Sequence, residues 1–247
     1  MPALLPYWGK SRSLLVPASA VAVTPPPPYD DKPGSPFHVH AMEIFAMSKP
    51  LSTEHRWIAE FWSDDVPGLT VSPLGHWISI TNQALRQAHL PLPQILELYL
   101  KAGVSSADVL VICWENKYAY NLERPETYIR RVVDPAWTPL HNSPPFPSYP
   151  SGHAAIGAAI SEVLTDFLGD AFPLTDYTHE GRNEFIGKPR SFGSFREMAE
   201  ENALSRIALG VHYRMDCDEG LRLGRLVSKR IAALPFRKQE ARISWNK

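Results

Sequence analysis

Apolar residues recur three and four positions apart through most of this chain. Stretches in which Val, Ile or Thr alternate with polar residues are almost absent. That pattern restricts the fold to helices packed on helices: an all-α helical bundle with no sheet beyond a minor hairpin. Proline marks where the helices stop. The 247 residues include 24 prolines, against an average share of about 5%, and most lie between the periodic stretches.

Ser52 is placed to cap a helix over residues 54–62, with Trp57, Ile58, Phe61 and Trp62 at helical spacing. Ser72-Pro73 opens a second, through His76, Trp77, Ile80, Ala84 and Leu85 to about His89, because proline is tolerated in a first turn. Pro93 starts a third that stops near Gly103, and Ser105 or Ser106 caps a fourth reaching about Tyr120. Residues 124–134 hold a short helical or extended piece, and the proline-rich stretch 135–150 is a loop. Ser151 opens a strongly apolar helix to about Leu168. Residues 169–192 are a long excursion, and helices over about 195–210 and 216–234 follow. Residues 1–37 are aperiodic, with a turn at Pro33-Gly34-Ser35-Pro36. The domain reading is therefore a Pro-rich arm over 1–37 and a single helical domain over 38–247.

Composition removes several classes of function. Lys+Arg 25 balances Asp+Glu 26, giving a net charge of −1, so binding to nucleic acid through overall charge is disfavoured while a local cationic site is not. No apolar run approaches the roughly 18–20 residues of a membrane span. The 2 cysteines, Cys113 and Cys217, cannot build a disulfide framework or a four-thiolate zinc site. Lys10 and Arg12 followed by the apolar run Leu14–Val23, with Ala18-Ser19-Ala20 as a cleavage site, faintly resemble a leader segment. Pro17 and Pro25–Pro28 interrupt that pattern.

Three stretches carry chemistry. In Lys117–Pro125, Lys117 and Arg124 lie seven positions apart, two turns along one helix face, and Pro125 turns the chain so that Arg124 can aim inward. Alone they read as solvated cations. In Pro150-Ser151-Gly152-His153, a turn runs into a helix of small residues. The unpaired N–H groups and positive dipole of that helix start suit an anion, Gly152 permits close approach, and His153 titrates near neutrality. Simple capping by Ser151 is the competing reading. In Ser205–Asp216, Arg206 offers a planar fork to an oxyanion. His212 and Asp216, four apart on a helical or near-helical path, pair so that one ring nitrogen is held and the other is free to act. A purely structural hydrogen bond is the alternative there.

Together these read K-x6-R-P, then P-S-G-H, then S-R-x5-H-x3-D, complete and in order over residues 117–216. The chain thereby resembles the superfamily of type-2 phosphatidic acid phosphatases, bacterial non-specific acid phosphatases and vanadium-dependent haloperoxidases. The resemblance implies an all-α catalytic domain with one cradle for phosphate or vanadate. Lys117, Arg124 and Arg206 would neutralise its oxygens, and Ser151 and the Gly152 N–H would donate to it. His212 would coordinate vanadium or attack phosphorus, His153 would be the general acid–base group, and Asp216 would orient His212.

Trp114, three before Lys117, and Phe146, seven before His153, are similar to haloperoxidase residues that shape the halide site, although packing alone would also explain them. Gly-Val-His212-Tyr-Arg-Met-Asp216 also resembles the haloperoxidase pattern. The expectation is oxidation of halide by hydrogen peroxide on a His-bound vanadate, with vanadium as a Lewis acid and phosphate a competitor. The alternatives are a phosphatase hydrolysing phosphate monoesters through a phosphohistidine, and a non-catalytic oxyanion-binding protein. The resemblance also suggests export.

The larger haloperoxidases carry a further helical half. Trp57, Phe61, Trp62 and Trp77 could then be left partly uncovered here, which favours a homo-oligomer. His38-Val-His40 lacks supporting ligands for a metal, and His179 reads as an ordinary surface or core histidine. Gly75-His76-Trp77 resembles a stretch near haloperoxidase cores, with no role assigned to His76.

Overall fold

The structure, a computed structural model, describes residues 3–64 and 70–236, so the outer limits of the domain reading, at 1–2 and 237–247, lie outside it. The helices are α1 (Pro36–Met47), α2 (Thr53–Phe61), α3 (Pro73–Ala88), α4 (Leu92–Tyr120), α5 (Pro125–Val132), α6 (Gly152–Leu168), α7 (Phe195–Leu209) and α8 (Arg214–Ala232). Between α6 and α7 the short strands β1 (Leu174–Asp176) and β2 (Arg190–Phe192) pair antiparallel, with Leu174 opposite Phe192 and Asp176 opposite Arg190. The all-α expectation with one minor hairpin therefore holds.

Serine caps set most of the starts. The side chains of Ser35, Ser52, Ser72, Ser151 and Ser194 each accept a first-turn backbone N–H. Left-handed residues make three of the stops: His89 (φ 50), Asn121 (φ 47) and Gly210 (φ 83).

Helix α6 is the hub, packing on α4, α7 and α8. Its buried face is built of Ala154, Ala155, Ala158 and Ala159, and α8 meets it with glycine. A Cβ on Gly220 would lie 2.5 Å from the Ser151 carbonyl oxygen, and one on Gly224 would lie 2.4 Å from that of Ala155. Only glycine lets the two backbones approach this closely.

Three expectations need correction. The helices expected over 93–103 and 105–120 are one continuous α4. Ser106 does not cap. Its hydroxyl bonds back to the Ala102 carbonyl at 2.7 Å, and the buried face running from Leu98 and Ala102 through Ser105, Ser106 and Val109 outweighs the local cost of Gly103. The turn at 33–36 is also the cap of α1, which begins at Pro36 inside the expected arm. Finally, Phe61, Trp62 and Trp77 are fully buried in this chain's own core, and Trp57 lies under the Arg190 guanidinium. They give no reason to infer an oligomer.

Residues 3–35 cross the bundle largely as irregular chain, with short 3-10 turns at Trp8–Lys10 and Ala18–Ala20. The buried carboxylate of Asp108 accepts the backbone N–H groups of Leu14, Leu15 and Val16 at 2.6, 2.9 and 2.7 Å. Glu219 on α8 is buried and accepts the Thr24 N–H at 2.9 Å.

Substitution should separate the glycines. Gly224→Val should overpack the α6–α8 contact and lower the urea midpoint by the equivalent of about 1–3 kcal/mol at unchanged m-value. Gly103→Ala, exposed and with nothing within 4 Å of its added Cβ, should raise stability by about 0.5–1 kcal/mol.

Candidate active site

Lys117 lies in the last turn of α4 and Arg124 caps the start of α5. They do not share a helix face as the spacing predicts, because Asn121 takes the left-handed conformation and ends α4 between them. The chain reversal brings them together instead. The Lys117 ammonium donates to the carbonyls of Pro147 and Ser148 at 2.9 and 2.8 Å. Arg124 donates from Nε to the Phe146 carbonyl at 2.9 Å and from Nη1 to that of Val211 at 2.7 Å. Arg206, in the last turn of α7, donates to the Ser205 hydroxyl at 2.9 Å and to the Trp62 carbonyl. Lys117 and Arg206 are 0% exposed and Arg124 7%. Burial pushes the Lys117 ammonium below its usual range, and the charge of Arg124 adds to this.

His212 lies in the link between α7 and α8, not on a helix, while Asp216 is in the first turn of α8. The pairing predicted from their spacing is present: Nδ1 is 2.8 Å from Asp216 Oδ2. Nε2 is 3.1 Å from Arg124 Nη1. Arginine only donates, so Nε2 is the acceptor and the proton sits on Nδ1, donated to Asp216. Burial drives the His212 pKa well below 6.5, followed by the charges of Arg124, Lys117, His153 and Arg206. The ring is therefore neutral with its lone pair facing the cations. Asp216 Oδ2 also accepts the Ser148 hydroxyl and the Tyr213 N–H, the latter at 3.0 Å. Burial raises the Asp216 pKa, opposed by these bonds and the nearby cations.

The N-terminus of α6 closes the site. The Ser151 N–H donates to the Asp216 carbonyl at 2.9 Å, and its hydroxyl accepts the Ala154 N–H at a long 3.4 Å. A Cβ on Gly152 would meet the Trp114 ring at 3.2 Å, so that ring lies directly against the helix start. Trp114 and Phe146 pack with centroids 5.1 Å apart. Lys117 Nζ lies 5.1 Å from the Phe146 centroid and the Arg124 guanidinium 4.9 Å from it. His153 follows in the first turn of α6, partly exposed, its charge felt by His212. A cleft of about 620 Å³, lined by Arg124, Phe146, Pro144 and Arg130 among others, opens onto this wall.

The three sequence motifs therefore converge. Sequence reasoning missed Ser148, the holding carbonyls of Phe146, Val211 and Trp62, and Trp8, whose ring lies tilted against Trp114 with centroids 4.6 Å apart. Main-chain carbonyls carry no side-chain signature, and Trp8 sits far away in the arm. Cys113 is buried beside Lys117, with its thiol pushed up to about 11 by burial.

A buried, cation-lined cradle at a helix start, with a neutral histidine, has the chemistry to receive an oxyanion on an all-helical fold. The family model of the VCPO second helical-bundle domain matches residues 97–238, and the chain belongs to that family. Among characterised proteins, the chain is 28% identical over 167 residues to a vanadium chloroperoxidase of Curvularia inaequalis, covering 48% of this chain and 27% of that protein. It is 36% identical over 97 residues to a vanadium-dependent bromoperoxidase of Ascophyllum nodosum, covering 36% of this chain and 17% of that one. The match thus spans less than a third of either relative. Among solved structures, a bacterial vanadium-dependent iodoperoxidase superposes with TM-score 0.87 at 34% identity, covering 94% of this chain and 58% of that one. A bacterial vanadium-dependent chloroperoxidase at 19% identity and TM-score 0.78, covering 93% and 54%, shares the fold.

The depressed pKa of His212 has a sign. Below about pH 6.5 the unfolded chain protonates this histidine while the native protein resists, so stability falls as pH drops through that value. His212→Gln should flatten that part of the pH–stability profile, measured by urea unfolding between pH 7.5 and 5.5.

Proposed function

We propose that this chain binds vanadate and oxidises halide with hydrogen peroxide. The observation that carries the reading is the Trp114–Phe146 wall lying against the ammonium of Lys117 and the guanidinium of Arg124. It supplies an apolar, cation-edged surface suited to a weakly hydrated anion beside the cradle, which phosphate-ester hydrolysis does not require. The donor set fits vanadate: three buried cations, a helix N-terminus and one neutral imidazole nitrogen.

In this reading Lys117, Arg124 and Arg206 hold the oxygens of the anion, and Ser151 and the Gly152 N–H donate to it. His212 Nε2 is the nitrogen ligand. Asp216, itself held by Ser148 and Tyr213, fixes the tautomer that leaves Nε2 free. When bound, vanadate supplies a Lewis-acidic centre that activates peroxide without a change of oxidation state. His153 would be the general acid–base group, accepting a proton from peroxide and returning it to the oxygen that departs when the O–O bond breaks. Trp114 and Phe146 would flank the halide where the cleft meets the cradle. Phosphate competes for the same cradle. A phosphate monoesterase would use the same cations with His212 as nucleophile.

The test is a paired assay. Orthovanadate is titrated into the protein with hydrogen peroxide and iodide or bromide, and a chromogenic phosphate ester is offered separately. Saturable vanadate-dependent halide oxidation is expected. His153→Ala should lose about 10²–10⁴-fold in rate while vanadate affinity is kept, and His212→Ala should lose both. Ester turnover without vanadate-dependent oxidation would make the protein a phosphatase. Tight vanadate binding with neither activity would leave only oxyanion binding.

A further inference from the structure

Away from the cradle, four buried side chains meet between the end of α2, helix α3 and the segment after β1. His76 lies between two carboxylates, with Nδ1 2.8 Å from Asp64 Oδ1 and Nε2 2.7 Å from Asp176 Oδ2. His179 Nε2 lies 3.4 Å from the same Asp64 oxygen. The ligating atoms of Asp64, His76 and His179 are all within 4.8 Å of one another. We infer that Asp64, His76 and His179 form a binding site for a divalent cation of the zinc class.

The donor chemistry comes first. Two imidazoles and a carboxylate suit a borderline-soft ion and do not suit calcium or magnesium, which favour oxygen. Tetrahedral zinc with bonds of 2.0–2.1 Å sets its donors about 3.3 Å apart, so the 3.4 Å separation already suits it and the 2.8 Å one needs only a small opening.

The surroundings point the same way. Asp176 takes the Nε2–H of His76 and so turns the Nδ1 lone pair toward Asp64 and His179, the carboxylate–histidine arrangement that orients metal ligands. Asp176 is itself fixed through Oδ1, which accepts from Gln83 at 2.9 Å and from the Thr178 N–H and hydroxyl at 2.8 and 2.6 Å. The second oxygen of Asp64 is buried and has no hydrogen-bond partner among the described residues. A bare buried carboxylate oxygen is costly. A cation held by the Asp64 carboxylate and the two imidazoles would satisfy it, with three protein donors.

The site is closed. Asp64, His76 and His179 are 1%, 0% and 2% exposed. The Trp62 ring stacks 4.8 Å from His76, and Phe61 meets His179 edge-on at 5.8 Å. Such closure marks a structural cation, not one that turns over substrate. It would tie three separate segments together two residues from Trp62, whose carbonyl holds Arg206. With no cation, a proton takes its place. Burial opposes that proton and Asp64 favours it, and His76 is raised to about 10.

The test uses the full chain and zinc alone. The protein is stripped with chelator, titrated with Zn²⁺ and followed by elemental analysis and thermal melting, beside His179→Ala, Asp64→Asn and Asp176→Asn. A single retained zinc per chain and a raised melting temperature are expected. Both effects should disappear in the two ligand variants, and affinity should fall about 10–100-fold in Asp176→Asn. Should a ligand variant fail to fold, zinc-edge X-ray absorption of the native protein decides, with two imidazole nitrogens and carboxylate oxygen in the first shell expected. Zinc retention equal in native protein and His179→Ala, a shell without that histidine pair, or no retained zinc would overturn the inference. In that last case a protonated His76 alone bridges the carboxylates.

Discussion

Holding buried positive charge together is the problem around which this protein is organised. Lys117, Arg124 and Arg206 come from the end of α4, the start of α5 and the end of α7, and almost none of their surface reaches solvent. Taking such groups out of water costs several kcal/mol each unless partners replace the lost hydration. Carbonyls of the proline-rich loop and of Val211 and Trp62 supply part of that replacement. Proline serves this purpose well, since it offers a carbonyl on a stiff backbone without a competing N–H. The remaining excess of positive charge favours a multiply charged anion over any neutral guest.

The same constraint explains the packing behind the cradle. Glycines and alanines on α6 and α8 draw the two backbones into contact. The Ser151 N–H is then bonded to the Asp216 carbonyl, while the Asp216 carboxylate holds His212. The helix start that would receive the anion and the histidine that would bind it are thus positioned by a single interhelical contact. A small change in α6–α8 spacing would move both. On the other side, Gly152 admits the Trp114 ring, which carries Phe146 against the two cations and Trp8 at its back. The N-terminal arm is thereby part of the wall, anchored through Asp108 and Glu219.

Much of this was legible in the sequence because charge and helix signals are local. The run of small residues after Ser151 suggested a tightly packed helix, and the ordered cationic motifs pointed to a shared cradle. What could not be read depends on tertiary context. Gly103 and Ser105 look like a helix break, yet a continuous buried face carries α4 through them. Lys117 and Arg124 look like neighbours on one helix, yet a left-handed Asn121 brings them together by reversal. Ser148 has no signature, because its value comes from touching Asp216 across the fold. Likewise His76 and His179 read as isolated histidines until folding brings them to Asp64 and Asp176.

Vanadium-edge X-ray absorption on the protein loaded with orthovanadate, beside His212→Ala, tests most directly whether the cations and this histidine serve one bound anion. A single imidazole nitrogen in the vanadium shell, lost in the variant together with tight retention, is the predicted result. An all-oxygen shell in both proteins, or vanadate held equally well without His212, would contradict it.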